Sequence, residues 1–283
     1  MIVVICGPTA VGKTKLSETL AKKMDAIIIN GDAMQVYKNL DIGTAKVTKE
    51  EMEDVPHYLF DIAEVNENYT VYHYQKDARK IIEENKNKNI IIVGGTGLYI
   101  KAALYNYEFE ERKATKEYEE YSNKELFEML QQRNINDVHI NNRRRLISRL
   151  NSSCNCNHKD ELLYENTKFI GLTTDRNILY DKINKRVDEM IKNGLVEEVK
   201  RVYKEYGKTK ALMTGIGYKE IISYIDGKIT LEEAIELIKQ KSRKYAKRQY
   251  TWFNNQMDIK WFETNYDDFD STISAVVDFL DKI

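Results

Sequence analysis

A glycine-containing octapeptide near the start of the chain limits the possible folds more than any other stretch. Gly7-Pro8-Thr9-Ala10-Val11-Gly12-Lys13-Thr14 follows the apolar run Ile2 to Cys6 and precedes a helical run from Lys15 to Lys23. Strand, G-x-x-x-x-G-K-[ST] and helix, in that order, make a phosphate-binding loop rather than a simple glycine turn. Two glycines let the backbone wrap an anion, so that successive N–H groups converge at the positive end of a helix. Lys13 then reaches an outer phosphate, and the Thr14 hydroxyl is placed to hold Mg2+. The expected fold is an α/β, P-loop NTPase-like parallel sheet flanked by helices.

At 283 residues and 42% hydrophobic composition, the chain can bury one large core and carry a smaller insert. Its formal charge of −1 conceals an asymmetry. Six Lys or Arg and no acid lie between Lys239 and Arg248, Arg143, Arg144, Arg145 and Arg149 form a second cluster, and acids collect from Glu263 to Asp281. Local basic clusters on a near-neutral chain suit a specific polyanion, although solvated helix faces are the plainer reading. Three cysteines, an odd number, argue against a disulfide framework. Cys154-x-Cys156-x-His158 has no second ligand pair at zinc-site spacing and reads as a polar loop. Met1 begins the first strand and no apolar run approaches membrane-spanning length, so a cytoplasmic protein without membrane contact is expected.

The second apolar run, Ala26 to Asn30, ends in Gly31-Asp32-Ala33-Met34-Gln35. Ligands of an open α/β sheet sit beyond the carboxyl ends of its strands, which places Asp32 near the phosphate loop. A carboxylate there can be a general base or an outer ligand of Mg2+, with a turn aspartate as the plainer alternative. Pro56 to Ile62 suggests a third short strand with His57 packed in it, and Val71 to Asn85 a helix. Asn89 to Val93 is an apolar strand followed by Gly94-Gly95-Thr96-Gly97. In nucleotide hydrolases such a strand ends in an Asp that helps hold Mg2+. Gly94 stands at that place, which points to chemistry other than ATP hydrolysis unless Asp61 supplies the acid.

From Ala102 to Val138 the sequence turns charged, tyrosine-rich and helical, dividing the chain into a core of 1–101 with 139–283 and a small insert of 102–138. His139 to Leu150 carries the arginine cluster on a helix whose apolar side is Leu146, Ile147 and Leu150, and Asn151 to Asn166 reads as loop. Phe169 to Thr173 forms a further strand, and Asp175 opens a long helix interrupted only by Gly194. Thr230-Leu231-Glu232-Glu233 is a capping box. The helix behind it runs into Arg243-Lys244-Tyr245-Ala246-Lys247-Arg248, where basic residues interleaved with aromatics suit phosphate contact plus stacking.

Taken together, these pieces resemble the tRNA dimethylallyltransferases, which prenylate the adenosine next to the anticodon. The matching stretches are GPTAVGKT (7–14), GDAMQVY (31–37), DIGTAK (41–46), GGTGLYI (94–100), HINNRRRLISRL (139–150), DRNILYDKINKRVDEMIKNGLVEEV (175–199), GIGYKE (215–220) and KYAKRQYTWF (244–253). They are collinear over nearly the whole chain, and their order is far more specific than any one of them. HINN stands where the family more often has HPNN, and the insert is shorter than the family's usual helical finger.

The resemblance implies dimethylallyl diphosphate and the tRNA anticodon stem-loop as partners of a monomeric enzyme, with Mg2+ as cofactor. Gly7, Pro8, Thr9, Ala10, Val11, Gly12, Lys13 and Thr14 would hold the diphosphate, helped by Arg176 and Arg243, with the metal at Thr14. Asp32 would take the proton from the exocyclic amine of adenine, with Lys13 and Thr96 also in the catalytic set. Implied tRNA contacts are Asp32, Ala33, Met34, Gln35, Thr44, Lys46 and Thr96, then Arg144, Arg145, Leu146, Ile147 and Ser148 of the arginine-rich helix after the insert, and Lys247, Arg248 and Gln249. A P-loop small-molecule kinase would share the architecture, and GGTGLY counts against it. An adenylate isopentenyltransferase would share the chemistry, and the basic clusters favour RNA over its free nucleotide. A non-catalytic RNA-binding module would leave Lys13, Thr14 and Asp32 without purpose.

Overall fold

The computed structural model describes residues 1–52, 54–106, 118–136, 138–151 and 161–282. The Cys154-x-Cys156-x-His158 stretch lies outside the described residues. The chain forms two compact units, Met1–Tyr105 with Leu162–Ile283, and Asn106–Glu161.

Six strands build the first unit: β1 (Ile2–Cys6), β2 (Ala26–Asn30), β3 (His57–Tyr58), β4 (Asn89–Val93), β5 (Thr167–Thr173) and β6 (Lys260–Glu263). They pair in parallel in the order β3-β2-β4-β1-β5-β6. Continuous apolar runs are what a sheet covered on both faces requires. Alternate residues divide accordingly: Val4, Ile29 and Ile92 enter one core, Val3, Ile28 and Ile91 the other.

The helices of this unit before the insert are α1 (Lys13–Met24), α2 (Lys49–Met52), α3 (Val71–Glu84) and α4 (Gly97–Leu104). The second unit holds α5 (Asn123–Gln132) and α6 (Arg143–Leu150). After it come α7 (Arg176–Lys192), α8 (Leu195–Tyr206), α9 (Lys210–Thr214), α10 (Tyr218–Ile225), α11 (Leu231–Gln256) and α12 (Phe269–Asp281). Leu16 and Leu20 of α1 and Val276 and Leu280 of α12 cover one face of the sheet. Tyr74, Ile100, Val199, Ile221 and Phe253 belong to the core on the other. No helix among the described residues is long and apolar enough to cross a membrane.

β1, β2 and β4 fall on their expected bounds, while β3 is only His57–Tyr58. Gly194, at φ 99°, divides the long helix into α7 and α8, as its position in the periodic run suggests. The capping box opens α11: Thr230 accepts from Glu233 N–H, and the Glu233 carboxylate accepts from Thr230 N–H. β6 is a four-residue edge strand, too short to carry a periodic signal.

The insert departs from its expected bounds. The second unit runs from Asn106 to Glu161, so the arginine helix α6 belongs to it and not to the core. Leu146 and Leu150 of α6 are buried with Leu126 and Leu130 of α5 and with Val138. The Arg143 guanidinium donates to the carbonyls of Glu119 and Tyr121, both at 2.6 Å.

Candidate active site

The pairing register brings three strand ends together. Ile5 and Asn30 both face Val93, so Cys6, Gly31 and Gly94 come level at the carboxyl edge, with Gly7 one residue beyond. A Cβ on Gly94 would lie 2.2 Å from the Gly31 carbonyl carbon. Backbone fills the space where a hydrolase would place its acid, which is a steric reason for glycine there.

The phosphate loop leaves β1 through Gly7 at φ 133° and reaches α1 through Ala10 at φ 68° and Gly12 at φ 89°. The Lys13 ammonium donates to the carbonyls of Gly7 at 3.1 Å and Pro8 at 2.6 Å. Burial, and next the Arg186 guanidinium, lower its pKa to about 8, against the opposing pull of Asp32. Gln249 of α11 accepts from Thr9 N–H at 3.2 Å and donates to the Gly95 carbonyl at 2.9 Å, tying this loop to the turn after β4.

Asp32 is held by side chains from two strand ends. Asn30, fully buried, accepts from Asp32 N–H at 2.8 Å and donates to the carbonyls of Asp32 and Leu59. One Asp32 oxygen accepts from Met34 N–H at 2.8 Å, and the Thr96 hydroxyl accepts from Ala33 N–H at 3.0 Å. The Tyr245 phenol lies close to Thr96 and Gln249; burial, then the Asp32 charge, push its pKa up to about 12.

Lys13, Thr14, Asp32, Arg186 and Tyr245 line one cavity of about 410 Å3. Its apolar wall comes from Ile183, Val187 and Met190 of α7 and Ile238 of α11. Arg186 stands on that same stripe of α7, and burial lowers its pKa while Asp32 opposes the shift. Its guanidinium donates to the Thr44 carbonyl at 3.4 Å. The loop carrying Thr44 is held in turn by Glu198, a buried carboxylate accepting the N–H groups of Asp41, Ile42 and Gly43 and the Tyr218 hydroxyl. Two cations, the phosphate-loop residues and a carboxylate lining one cavity suit a small anionic substrate and a proton acceptor.

A family model described as IPP transferase matches residues 35–256, well over half the chain. The chain belongs to the IPP transferase family. A tRNA dimethylallyltransferase of Anoxybacillus flavithermus is 46% identical over 300 residues, covering 99% of this chain and 96% of the relative. One from Bacillus licheniformis is 45% identical over 284 residues, covering 93% and 90%. The tRNA isopentenylpyrophosphate transferase from Bacillus halodurans superposes with a TM-score of 0.77 at 38% identity, over 99% of this chain and 95% of that one. A eukaryotic dimethylallyltransferase acting on tRNA superposes at 0.84 and 27% identity, over 99% and 79%.

In this IPP transferase the cavity brings together most of the expected anion and base residues and leaves others outside. Thr9, Ala10, Gly12, Lys13, Thr14, Asp32, Met34, Gln35, Thr44, Arg248 and Gln249 line it. Arg176 and Arg243 do not. Arg176, two turns of α7 before Ile183, lies over the Tyr180 ring, and Arg243 donates to Asn184 at 2.5 Å. Arg186, which the sequence reading missed, is the α7 cation that lines the cavity; its spacing of three from Ile183 was the available signal. Lys46 is committed to the fold, donating to the Tyr37 carbonyl, Asp41 and Asp61. Gln249 is buried as a strut, and Leu146 is a core residue of the second unit. Arg144, Arg145 and Ser148 are exposed on α6, with Ile147 partly buried beside them. The basic run of α11 also divides. Lys239, Lys241 and Arg243 bond Asp188, Glu220 and Asn184, whereas Lys244, Lys247 and Arg248 are exposed.

The oxygen donors at the cavity also fit Mg2+. Thr14 and Asp32 offer a hydroxyl and a carboxylate, the hard ligands that this ion uses together with phosphate oxygens and water. Among the described residues no three His, Cys, Asp or Glu gather as a metal cage.

Proposed function

We propose that this IPP transferase moves a dimethylallyl group from dimethylallyl diphosphate to the exocyclic N6 of the tRNA adenosine adjoining the anticodon, releasing diphosphate. The observation that carries the reading is one cavity lined together by Lys13, Arg186 and Asp32, with the Asp32 charge acting on both cations. The relatives named for this activity support it.

The allylic C–O bond breaks as negative charge grows on the departing diphosphate. Loop amides, Lys13 and Arg186 stabilise that charge in a site already shaped to hold it. Mg2+, held at Thr14, would supply further charge neutralisation to the diphosphate. Adenine leaves its stack to reach the cavity, at a cost of a few kcal/mol. Its N6 bonds the allylic carbon while Asp32 accepts the amine proton; the Asp32 oxygen not engaged by Met34 N–H serves as acceptor. Thr96 and Tyr245 bound the site beside that carboxylate. Exposed Lys247 and Arg248, with Arg144 and Arg145 of the second unit, would contact RNA phosphates. The enzyme would work as a cytoplasmic monomer.

The test offers radiolabelled dimethylallyl diphosphate with unmodified tRNA, with AMP, and with neither. Label transferred only to tRNA is expected. Transfer to AMP and not tRNA would overturn the assignment in favour of a free nucleotide acceptor.

A further inference from the structure

The turn between β6 and α12 grips the phosphate loop from outside the cavity. Thr264 donates its hydroxyl to the Val11 carbonyl at 3.0 Å, and Tyr266 donates to the Ala10 carbonyl at 3.0 Å. The Phe269 ring covers Gly12, where a Cβ would come within 2.5 Å of it. None of the three lines the cavity. The turn is itself fixed. Thr264 N–H donates to the Thr173 carbonyl at 2.8 Å, and Asn265 accepts from the N–H groups of Asp267 and Asp268, each at 3.1 Å. The Lys182 ammonium lies over the Tyr266 ring at 4.3 Å.

We propose that Thr264 and Tyr266 are positioning residues that keep the anion-binding amides of the phosphate loop turned inward. The chain has no cis peptide among the described residues, and a trans peptide points its C=O and N–H in opposite directions. The Ala10 carbonyl shares a peptide plane with Val11 N–H, and the Val11 carbonyl with Gly12 N–H. Anchoring both carbonyls on the turn therefore fixes two consecutive N–H groups toward the cavity. Ala10 also holds φ at 68°, a left-handed conformation that an L-residue adopts only at a cost. The hydrogen bond from Tyr266 offsets that cost at the residue that bears it. Diphosphate as the anion rests on the proposed function; the direction of the amides does not.

The test uses the full chain with Tyr266→Phe, Thr264→Val, both together, and Thr264→Ser. Titration calorimetry with inorganic diphosphate reads the amides directly, and steady-state transfer reads kcat and both KM values. Each single loss of a hydrogen bond is expected to weaken diphosphate about 5-fold, and the double variant to weaken it further. KM for dimethylallyl diphosphate should rise in parallel, KM for tRNA should hold, and Thr264→Ser should restore affinity. Wild-type diphosphate affinity in the double variant would overturn the proposal, even if its melting temperature fell. Equal loss in Thr264→Ser and Thr264→Val would overturn it too. A wild-type protein that bound diphosphate and transferred no prenyl group would sink the proposed function while the same affinity series still decided this one.

Discussion

At the phosphate loop, the proposed binding groups are backbone amides, and glycines at fixed spacing shape them. At the Asp32 turn, the proposed working group is a side chain, and the side chains that fix the turn come from two elements: Asn30 from β2 and Thr96 from the turn after β4. Both regions open on one cavity. A site made of backbone must be written in consecutive residues, because consecutive φ and ψ values create it. A site made of side chains can be assembled from any elements that the fold brings together.

The comparison breaks most visibly at Asp32. Asp32→Asn keeps the size and one acceptor oxygen but loses the charge and basicity. Prenyl transfer is expected to slow by ~10²–10⁴-fold at saturating substrates, with diphosphate and tRNA binding close to wild type. Single-turnover transfer across a Mg2+ series checks this. Wild-type rates would remove Asp32 as the base, and weak diphosphate binding restored by extra Mg2+ would reassign it to the metal.

At the phosphate loop, Lys13→Ala is expected to lower turnover by about 10²–10³-fold, since in the proposed reaction that ammonium meets charge that grows on the leaving group. The fold and most of the tRNA affinity should survive, because among the described residues Lys13 bonds only the Gly7 and Pro8 carbonyls. Near-normal transfer by a folded variant would take the loop out of the mechanism.

The same contrast explains what could be read before the fold was known. The strands, the phosphate loop, the Gly194 break and the α11 capping box are local, so residue order alone disclosed them. Asp32 was legible because strand ends in an open sheet converge. Arg186 was not, because choosing it over Arg176 requires knowing which turn of α7 faces the cavity. Arg243 and Lys46 misled for a related reason. A basic residue looks free in a sequence until its acceptors, Asn184 for one and Asp41 with Asp61 for the other, arrive from distant elements.

The α11 surface sharpens the distinction between committed and exposed cations. Reversing charge at exposed Lys247 and Arg248 is expected to weaken tRNA binding on the order of 10-fold and to flatten its salt dependence. Arg248 also lines the cavity, so diphosphate binding should weaken as well, though less than tRNA binding because Lys247 lies outside it. Filter binding across a salt series measures both, and an unchanged slope would mark this face as merely solvated.

The smallest expected effect tests whether the two regions sense each other. Lys13, lowered to about 8 by burial and by Arg186, loses its charge in the free protein as pH rises through that value. A diphosphate prefers the ammonium form, so binding above pH 8 must take up a proton. Affinity should therefore fall by about 4-fold between pH 7 and 8.5, with proton uptake visible by calorimetry in two buffers. Lys13→Arg should lack this break, since a guanidinium does not titrate there, and any remaining slope belongs to the ligand. The neighbours set the direction of further shifts. Arg186 lowers the lysine's pKa, so Arg186→Gln should move the break to higher pH. Asp32 raises it, so Asp32→Asn should move the break lower. Opposite displacements would show that the base and the phosphate loop share one electrostatic field. A break that stays put in both variants would belong to some other group.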